Sequence, residues 1–273
     1  MVQAAETKVL AVLSANLGPY QEAYQGLQDV LAGPVTSVYL PANNLKAAGE
    51  GRTIIAFGGA AAVQPYPSDS PLVYCLAPGT YLNPSHRNGP TVRLFLMPSP
   101  QITIAKILEI QPSIKHLAVL WASAGFAEYL DGLRKSAEAA QLKIEFKQVS
   151  DPSALASVLR QLPGRVDAVW VTSDPPLINS ESLLLLKEFS WANKIPLYSP
   201  IEGLAERGGA VASVYSSYRD IGRNAGEIIQ RGLRESQDHY PSDVQYTLNT
   251  TAANQVGLSL SDAVRKSAHE IVK

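Results

Sequence analysis

The sequence predicts an α/β protein with two lobes, each built on a doubly wound parallel sheet. Near-continuous apolar strands alternate with amphipathic helical stretches, which is typical of parallel sheets that helices cover on both faces. The segment KVLAVLSANLGPYQEAYQGL at 8–27 recurs, with a one-residue gap, as KHLAVLWASAGFAEYLDGL at 115–133. Each copy predicts a strand, a polar turn and the start of a helix. The repeat therefore indicates that each half of the chain begins a sheet of its own.

Short apolar segments predict the strands, and longer segments with helical spacing of apolar residues predict the helices between them. The predicted strands, in order, are 8–13, 36–41, 53–58, 72–77, 92–97, 116–121, 143–149, 168–173, 195–199 and 210–216. The clearest predicted helices are 19–33, 126–141, 153–162 and 180–194.

Composition excludes several classes of function. The chain has 273 residues, 46% of them hydrophobic, with Lys+Arg 23 against Asp+Glu 24, so a large core is expected and no basic surface for nucleic acid is predicted. No segment approaches the ~20 apolar residues that a membrane span requires. Cys75, the single cysteine, lies in the apolar run PLVYCLA and is expected to be a buried hydrophobic residue.

Sequence motifs for catalysis and cofactors are also lacking. The histidines, which are scattered without metal-ligand spacing, are His86, His116, His239 and His269. No phosphate-binding glycine loop, dinucleotide fingerprint or nucleophile elbow is present. We therefore predict that the protein is not an enzyme and has no metal and no cofactor, although an unfamiliar enzyme on an α/β scaffold stays an alternative.

The amino terminus suggests export. MVQAAETKVL has small residues ending at Ala4 and Ala5 before the first strand, as expected when a signal peptide is cut at an A-x-A-like site. An ordinary cytosolic start would look similar, and the two interpretations stay open on this feature alone.

Polar residues at the end of one apolar strand predict a ligand-binding turn. In DAVWVTSDPPLINS, the strand at 168–171 runs into Thr172, Ser173 and Asp174, and the following prolines delay the next helix until about Asn179 or Ser180. A carboxylate there could receive a ligand ammonium, and the hydroxyls could receive a ligand carboxylate. Alternatively, Ser173 and Asp174 satisfy hydrogen bonds of the turn or a helix cap.

The same argument selects residues at the other strand ends, because ligands of open α/β sheets lie beyond the carboxyl ends of the strands. Two facing lobes would form a cleft lined by these turns. Tyr20 and Phe126 occupy related places in the repeat and could sandwich a flat group or pack on their own lobes, and Gly58-Gly59 could admit a ligand or only form a tight turn. Besides the three residues above, the predicted ligand-binding residues are Ser14, Asn16, Tyr20, Gly58, Gly59, Ser123, Phe126, Ser199 and Tyr215.

The chain resembles the ABC-transporter substrate-binding family with the type I periplasmic fold, in the branch that includes aromatic-amino-acid binders. The stretch YTLNTTAANQVGLSL at 246–260 looks like the family ending N-x-x-x-A-x-x-x-G-[LI]. Further similar segments, in order, are IIAFGGAAAVQ, PLVYCLA, ILEIQPSIKHLAVLW, VDAVWVTSDPPLINS, ANKIPLYSP and YRDIGRNAGEIIQRGL. Departures from the family pattern, SANLGPY, APGTY and SHRNGPTVRLF, all fall in the first lobe.

The resemblance implies two Rossmann-like lobes joined by three crossover hinge segments, near 90–98, 209–217 and 241–250. The first lobe is then 1–95 plus about 214–242, and the second is 96–213 plus about 243–273.

The resemblance also implies a function. It is that of an extracytoplasmic solute-binding protein of an ABC importer, which binds an amino acid or a similar zwitterion in the cleft, with Thr172, Ser173 and Asp174 as the best-matched ligand positions. The expected partners are the small-molecule ligand and a membrane ABC permease, with no nucleic acid, and the protein is expected to be a monomer. The expected location is periplasmic or extracellular, with or without a lipid anchor on the precursor. A ligand-sensing domain that docks on a signalling receptor is the alternative.

Overall fold

A computed structural model describes residues 8–273 of the chain. The small residues at Ala4 and Ala5, which bear on the prediction of export, lie outside the described residues. The elements in the first part of the chain are β1 Val9–Leu13, α1 Gly18–Val30, β2 Val35–Tyr39, α2 Leu45–Gly49, β3 Thr53–Phe57, α3 Gly59–Ala62, β4 Leu72–Cys75 and β5 Thr91–Leu94. The next are α4 Pro100–Ile110, β6 His116–Trp121, α5 Ala127–Ala139, β7 Lys143–Gln148, α6 Leu155–Leu159, β8 Ala168–Val171, α7 Ser180–Asn193, β9 Leu197–Ser199, α8 Glu202–Glu206 and β10 Ala212–Tyr215. The last are α9 Tyr218–Arg231, β11 Gln237–His239, β12 Gln245–Asn249, α10 Thr250–Val256, α11 Asp262–Ser267 and β13 Glu270–Val272.

These elements form two compact units. The first contains the described residues up to Leu96 together with Ser216–Asp243, and the second contains Met97–Tyr215 together with Val244–Lys273. The first unit has a sheet of order β11-β5-β4-β3-β1-β2, and the second has a sheet of order β13-β12-β10-β9-β8-β6-β7. The α/β fold class predicted from the sequence is therefore confirmed.

Both faces of the first sheet are covered, as the continuous apolar strands predict. All of β1 is buried: Val9, Ala11 and Leu13 belong to one apolar cluster, while Leu10 and Val12 belong to another. Alternate residues of a strand point to opposite faces, so the two clusters are the two faces of this sheet.

The prediction that both sheets are parallel needs one correction, in the second sheet. Every described pairing of the first sheet is parallel, but in the second sheet β12 runs antiparallel to β10, with Tyr215 opposite Gln245. The reason is the path of the chain. It leaves the second unit after Tyr215 and returns at Val244, on the same edge of that sheet, so the returning strand must run in the opposite direction.

Two helices of the first unit touch through their backbones. A Cβ added to Gly26 of α1 would lie 1.9 Å from the carbonyl oxygen of Arg219, and one added to Gly222 of α9 would lie 1.8 Å from that of Ala23. Only glycine fits at these positions, and the contact fastens α9, which follows a chain crossing, to the first sheet. Among the described residues, no helix combines the length and the apolar character needed to cross a membrane.

Candidate functional site

The carboxyl edge of the second sheet gathers several of the predicted ligand residues. Strands β10, β9, β8 and β6 are neighbours in this order in the sheet, so the turns after β6, β8 and β9 lie next to one another. Helix α7 begins at Ser180 with Asn179 as its N-cap, as predicted, and a 3₁₀ turn at Pro175–Leu177 fills the interval after β8. The polar residues that end β8 are thus held on a short, rigid connection.

Asp174 is fully engaged by the neighbouring turn. Its Oδ2 accepts hydrogen bonds from the backbone N–H groups of Ala122 (2.8 Å) and Ser123 (2.6 Å), and its Oδ1 accepts one from the Ser123 hydroxyl (2.6 Å). The side chain is 0% exposed. This geometry is that of the alternative in which Asp174 satisfies a turn, and it fixes Ser123 at the carboxyl end of β6.

Thr172 and Ser173 differ sharply in their hydrogen bonding. The Thr172 hydroxyl donates to the carbonyl oxygen of Leu120 at 3.0 Å, which ties β8 to β6. Ser173 is 4% exposed, and its Oγ makes no hydrogen bond with the described part of the chain. Buried hydroxyls nearly always have a partner, so Ser173 is the unusual member of this turn.

Ser199 and Tyr215 end the next two strands of the same sheet. The Ser199 Oγ accepts a hydrogen bond from the Ile201 N–H at 3.2 Å. The Tyr215 hydroxyl donates to Glu202 Oε1 at 2.8 Å and accepts from the Thr247 hydroxyl at 3.1 Å. Burial, together with the nearby Glu202 carboxylate, raises the pKa of Tyr215 well above its usual value, so this hydroxyl stays protonated.

In the first unit, Ser14 and the Gly58-Gly59 turn lie together at the carboxyl edge of the sheet. The Ser14 Oγ accepts a hydrogen bond from the Ala61 N–H at 2.8 Å, near the start of α3. Gly58 has φ +99°, and a Cβ there would lie 2.5 Å from the Ser14 Oγ and 2.9 Å from Tyr20 Cε1. The glycine is required by this close approach of the Ser14 and Tyr20 side chains.

The remaining predicted residues lie in less similar surroundings than the repeat suggests. Tyr20 is half-buried and packs against the apolar cluster of the first unit, whereas Phe126 ends a 3₁₀ turn in the second unit and is 2% exposed. Asn16 is exposed and accepts a hydrogen bond from the Gln21 side chain.

Sequence reasoning missed a stack of side chains beside strands β5 and β11, on the side of the first sheet that lies away from β1 and β2. The guanidinium carbon of Arg93 lies 4.1 Å from the Phe95 ring centroid and 5.5 Å from that of Tyr81, and the Phe95 and Tyr240 rings are 4.7 Å apart with an angle of 9°. Arg93 Nε donates to Asp238 Oδ1 at 3.0 Å across the β5–β11 pairing. The signal in the sequence is a single arginine inside the apolar strand VRLFLM, which must have a partner when buried.

Three carboxylates of the second unit are close enough to hold a cation. One oxygen from each of Glu202, Glu206 and Glu270 lies within 4.8 Å of the others. Acidic side chains often approach one another without a metal, and Glu202 already accepts a hydrogen bond from the Tyr215 hydroxyl. We assign no metal function to this group.

Comparison with known proteins identifies the family. The family model described as ABC transporter substrate binding protein matches residues 99–272, more than half of the chain. No curated protein sequence is similar enough to count as a relative. Several solved structures are similar in fold.

One of them is the ABC domain in complex with L-Trp from Streptococcus pneumonia, with a TM-score of 0.65, 19% identity, and coverage of 97% of this chain and 100% of that chain. Another is the ligand-free, open structure of CD0873, a substrate binding protein with adhesive properties from Clostridium difficile, with a TM-score of 0.65 and 14% identity over 98% of this chain and 99% of that one. An ABC sugar transporter subunit from Rhodobacter sphaeroides has a TM-score of 0.52 and 16% identity over 88% and 98% of the two chains.

At these identities the structural likeness shows the fold, which is the type I periplasmic binding protein fold. The family model shows more, because it matches the sequence of most of the second unit. The chain therefore belongs to the ABC transporter substrate-binding protein family.

Proposed function

We propose that this protein is the extracytoplasmic solute-binding subunit of an ABC importer, and that the turn after β8 in the second unit contributes to the binding of one small molecule. The observation that carries the proposal is the contrast within one turn. Thr172 and Asp174 use their side chains inside the fold, while the buried Ser173 Oγ has no hydrogen-bond partner among the described residues. A ligand that hydrogen-bonds to Ser173 would remove the cost of that buried hydroxyl.

An amino acid or a similar zwitterion is the first class of ligand to test, because the resemblance includes binders of aromatic amino acids. In this proposal, Asp174 positions Ser123 instead of accepting the ligand ammonium directly, because its carboxylate already accepts three hydrogen bonds. Ser173 makes the direct contact. Export to the periplasm or the cell exterior and delivery to a membrane permease complete the proposal.

A thermal-shift screen tests the binding function. Amino acids, nucleosides, sugars and short organic acids are each added to the purified protein. A ligand at a hundred times its Kd stabilises the folded state by about 2.7 kcal/mol, which should raise the melting temperature by roughly 5 to 10 °C. The bound compound should be recovered chemically unchanged, and the loaded protein should stimulate ATP hydrolysis by permease-containing vesicles.

Two neighbouring substitutions then test the role of the turn. Ser173→Ala should weaken ligand binding by roughly threefold to tenfold and leave the melting temperature of the unliganded protein unchanged or slightly higher. Thr172→Val is the matched control. It removes a hydroxyl that is bonded to Leu120, so it should lower the melting temperature.

Two outcomes would contradict this function, and a third would contradict the role of Ser173. Chemical conversion of the ligand would indicate an enzyme. Docking on a receptor ectodomain, with no stimulation of a permease, would indicate a sensor. Unchanged affinity in Ser173→Ala would remove Ser173 from the binding site.

A further inference from the structure

The second unit has an apolar groove on its surface, between helices α7 and α8. Its volume is about 440 Å³. Five aliphatic side chains line it, from the turn after β8, from α7, from the turn after β9 and from α8: Ile178, Leu183, Leu184, Ile201 and Leu204. Leu184 is 57% exposed, although it sits between partly buried leucines. Leu184 therefore extends the apolar lining of the groove onto the exposed surface of α7.

The only charged side chains that line this groove in the described structure are both positive. They are Lys187 of α7 and Arg207, which follows α8. The aliphatic part of the Lys187 side chain packs closely against Gly209, where an added Cβ would lie 2.7 Å from the Lys187 Cγ. The Lys187 Nζ lies 4.5 Å from the centre of the Trp191 ring. Arg207 is highly exposed and has only a distant contact, 3.7 Å, to Glu206. An occupant that carries carboxylates beside an apolar face would therefore complement both the apolar groove and its charge.

The groove is also joined to the proposed ligand-binding turns. Ile178 is connected to Asp174 by the 3₁₀ turn Pro175–Leu177, and the Ile201 N–H donates to the Ser199 Oγ at 3.2 Å. The residues that end β8 and β9 at the carboxyl edge thus continue directly into the groove. A partner bound there would contact the connections whose other ends carry Ser173 and Ser199.

We propose that this groove docks an amphipathic helix that carries acidic side chains, presented by the membrane permease. The inference rests on the proposed function, because that function supplies the permease as partner. Aliphatic side chains of the helix would enter between Leu183, Leu184 and Leu204, in the way that helices bind in apolar grooves. Its carboxylates would pair with Lys187 and Arg207 at the rim.

The first test uses a synthetic helical peptide of about 18 residues, long enough to form a helix, with a leucine face flanked by glutamates. Its twin has lysine in place of every glutamate. The full-length protein should bind the glutamate peptide at least tenfold more tightly than the lysine peptide. Binding is followed by tryptophan fluorescence, because Lys187 would move away from the Trp191 ring when the peptide binds. The variant Trp191→Phe shows which part of the fluorescence change comes from Trp191.

Substitutions in the groove should change this preference in a defined way. The double variant Lys187→Glu with Arg207→Glu should reverse the preference between the two peptides. Leu184→Ala should weaken the binding of the glutamate peptide severalfold. Leu17→Ala is the matched control, because Leu17 is also 57% exposed but belongs to the first unit, and it should bind as the wild type does.

The permease assay separates this inference from the proposed function. The charge-reversed protein should give the same thermal shift with its small ligand as the wild type, yet it should stimulate ATP hydrolysis severalfold less. Full stimulation by the charge-reversed protein would overturn the docking groove and leave the binding function standing. A wild-type protein that binds the glutamate peptide but shifts with no small ligand would support the groove and contradict the binding function.

Other results would overturn the groove as a helix site. Equal binding of the two peptides would do so, as would an equal effect of Leu17→Ala. If sodium dodecanoate bound to the protein in a way that required Lys187, and the glutamate peptide did not compete with it, the natural occupant of the groove would be a small amphiphilic acid and not a helix. Self-association that Leu184→Asp abolishes would indicate a second copy of this chain.

Discussion

Removing the charge of Asp174 is the most direct test of how the proposed site is built. The carboxylate is buried and accepts hydrogen bonds from two backbone N–H groups and one hydroxyl of the turn at Ala122 and Ser123. Asp174→Asn keeps the size of the side chain. Its amide oxygen can still accept from both N–H groups, while its NH₂ group must face the Ser123 hydroxyl, which then has to accept a hydrogen bond.

The expected loss of stability follows from this exchange. Hydrogen bonds to a charged group contribute about 1.5 to 3 kcal/mol and neutral ones about 0.5 to 1.5 kcal/mol, so each bond weakens by about 1 kcal/mol. Because Asp174 accepts three such hydrogen bonds, the free energy of unfolding should fall by roughly 2 to 3 kcal/mol in total. For a domain of this size, the melting temperature should drop by roughly 5 to 10 °C.

Thermal and urea unfolding of the unliganded protein measure this loss. Asp131→Asn on α5 is the control for the loss of one negative charge. Asp131 is 71% exposed and its ion pair with Arg134 is long, at 4.0 Å, so this substitution should change stability little. A double-mutant cycle with Ser123→Ala should give a coupling energy of about 1 to 2 kcal/mol between residues 123 and 174. Ligand affinity is measured on the same proteins.

One pattern of results would refute this reasoning. If Asp174→Asn melted within about 1 °C of the wild type, while the affinity for an amine-bearing ligand fell by tenfold or more, the carboxylate would be a ligand contact and not the support of a turn. A loss of affinity that merely accompanies the loss of stability, and that Ser123→Ala reproduces, fits a positioning role.

Two further predictions concern the first unit. Gly26→Ala should lower its stability by more than about 3 kcal/mol in thermal unfolding, because the new Cβ would meet a backbone carbonyl oxygen of α9 at 1.9 Å, whereas Gly18→Ala in the same helix, whose Cβ would be 3.8 Å from its nearest neighbour, should be tolerated. Burial and a nearby positive charge lower the pKa of His239 below its usual 6.5, so the unfolded chain binds a proton there more readily and stability should fall as the pH drops below about 6.5. His239→Gln should flatten this part of the stability–pH curve, and an unchanged slope would show that other groups cause it.

Much of the fold could be predicted because its strongest signals are local. The continuous apolar strands and the repeat of KxLAVL predict two parallel sheets, and β1 and β6 occupy these two segments. The missed strands carry no such signal. β11 is the polar segment Gln237–His239, and it is a strand only because it pairs with β5, far away in sequence.

The place of the turn after β8 in the fold was predictable, but the hydrogen bonds of its residues were not. Sequence alone places Ser173 and Asp174 at the end of an apolar strand, where both a ligand and a turn are plausible partners. Their roles depend on which donors the turn after β6 presents, about fifty residues earlier in the chain. The similarity between Tyr20 and Phe126 in the repeat likewise does not extend to burial, because the turn in the second copy forms a 3₁₀ helix and that in the first does not.

The turn after β8 connects the two proposed binding functions of the second unit. Asp174 anchors its beginning to the turn after β6, Leu177 is buried in the apolar core, and Asn179 caps α7 through the Ser182 N–H at 2.9 Å. With both ends fixed and prolines between them, the segment has little freedom to absorb a local displacement. The segment therefore keeps a fixed spacing between Ser173 and Ile178, so a ligand at Ser173 and a permease helix in the groove would contact two ends of one rigid connection.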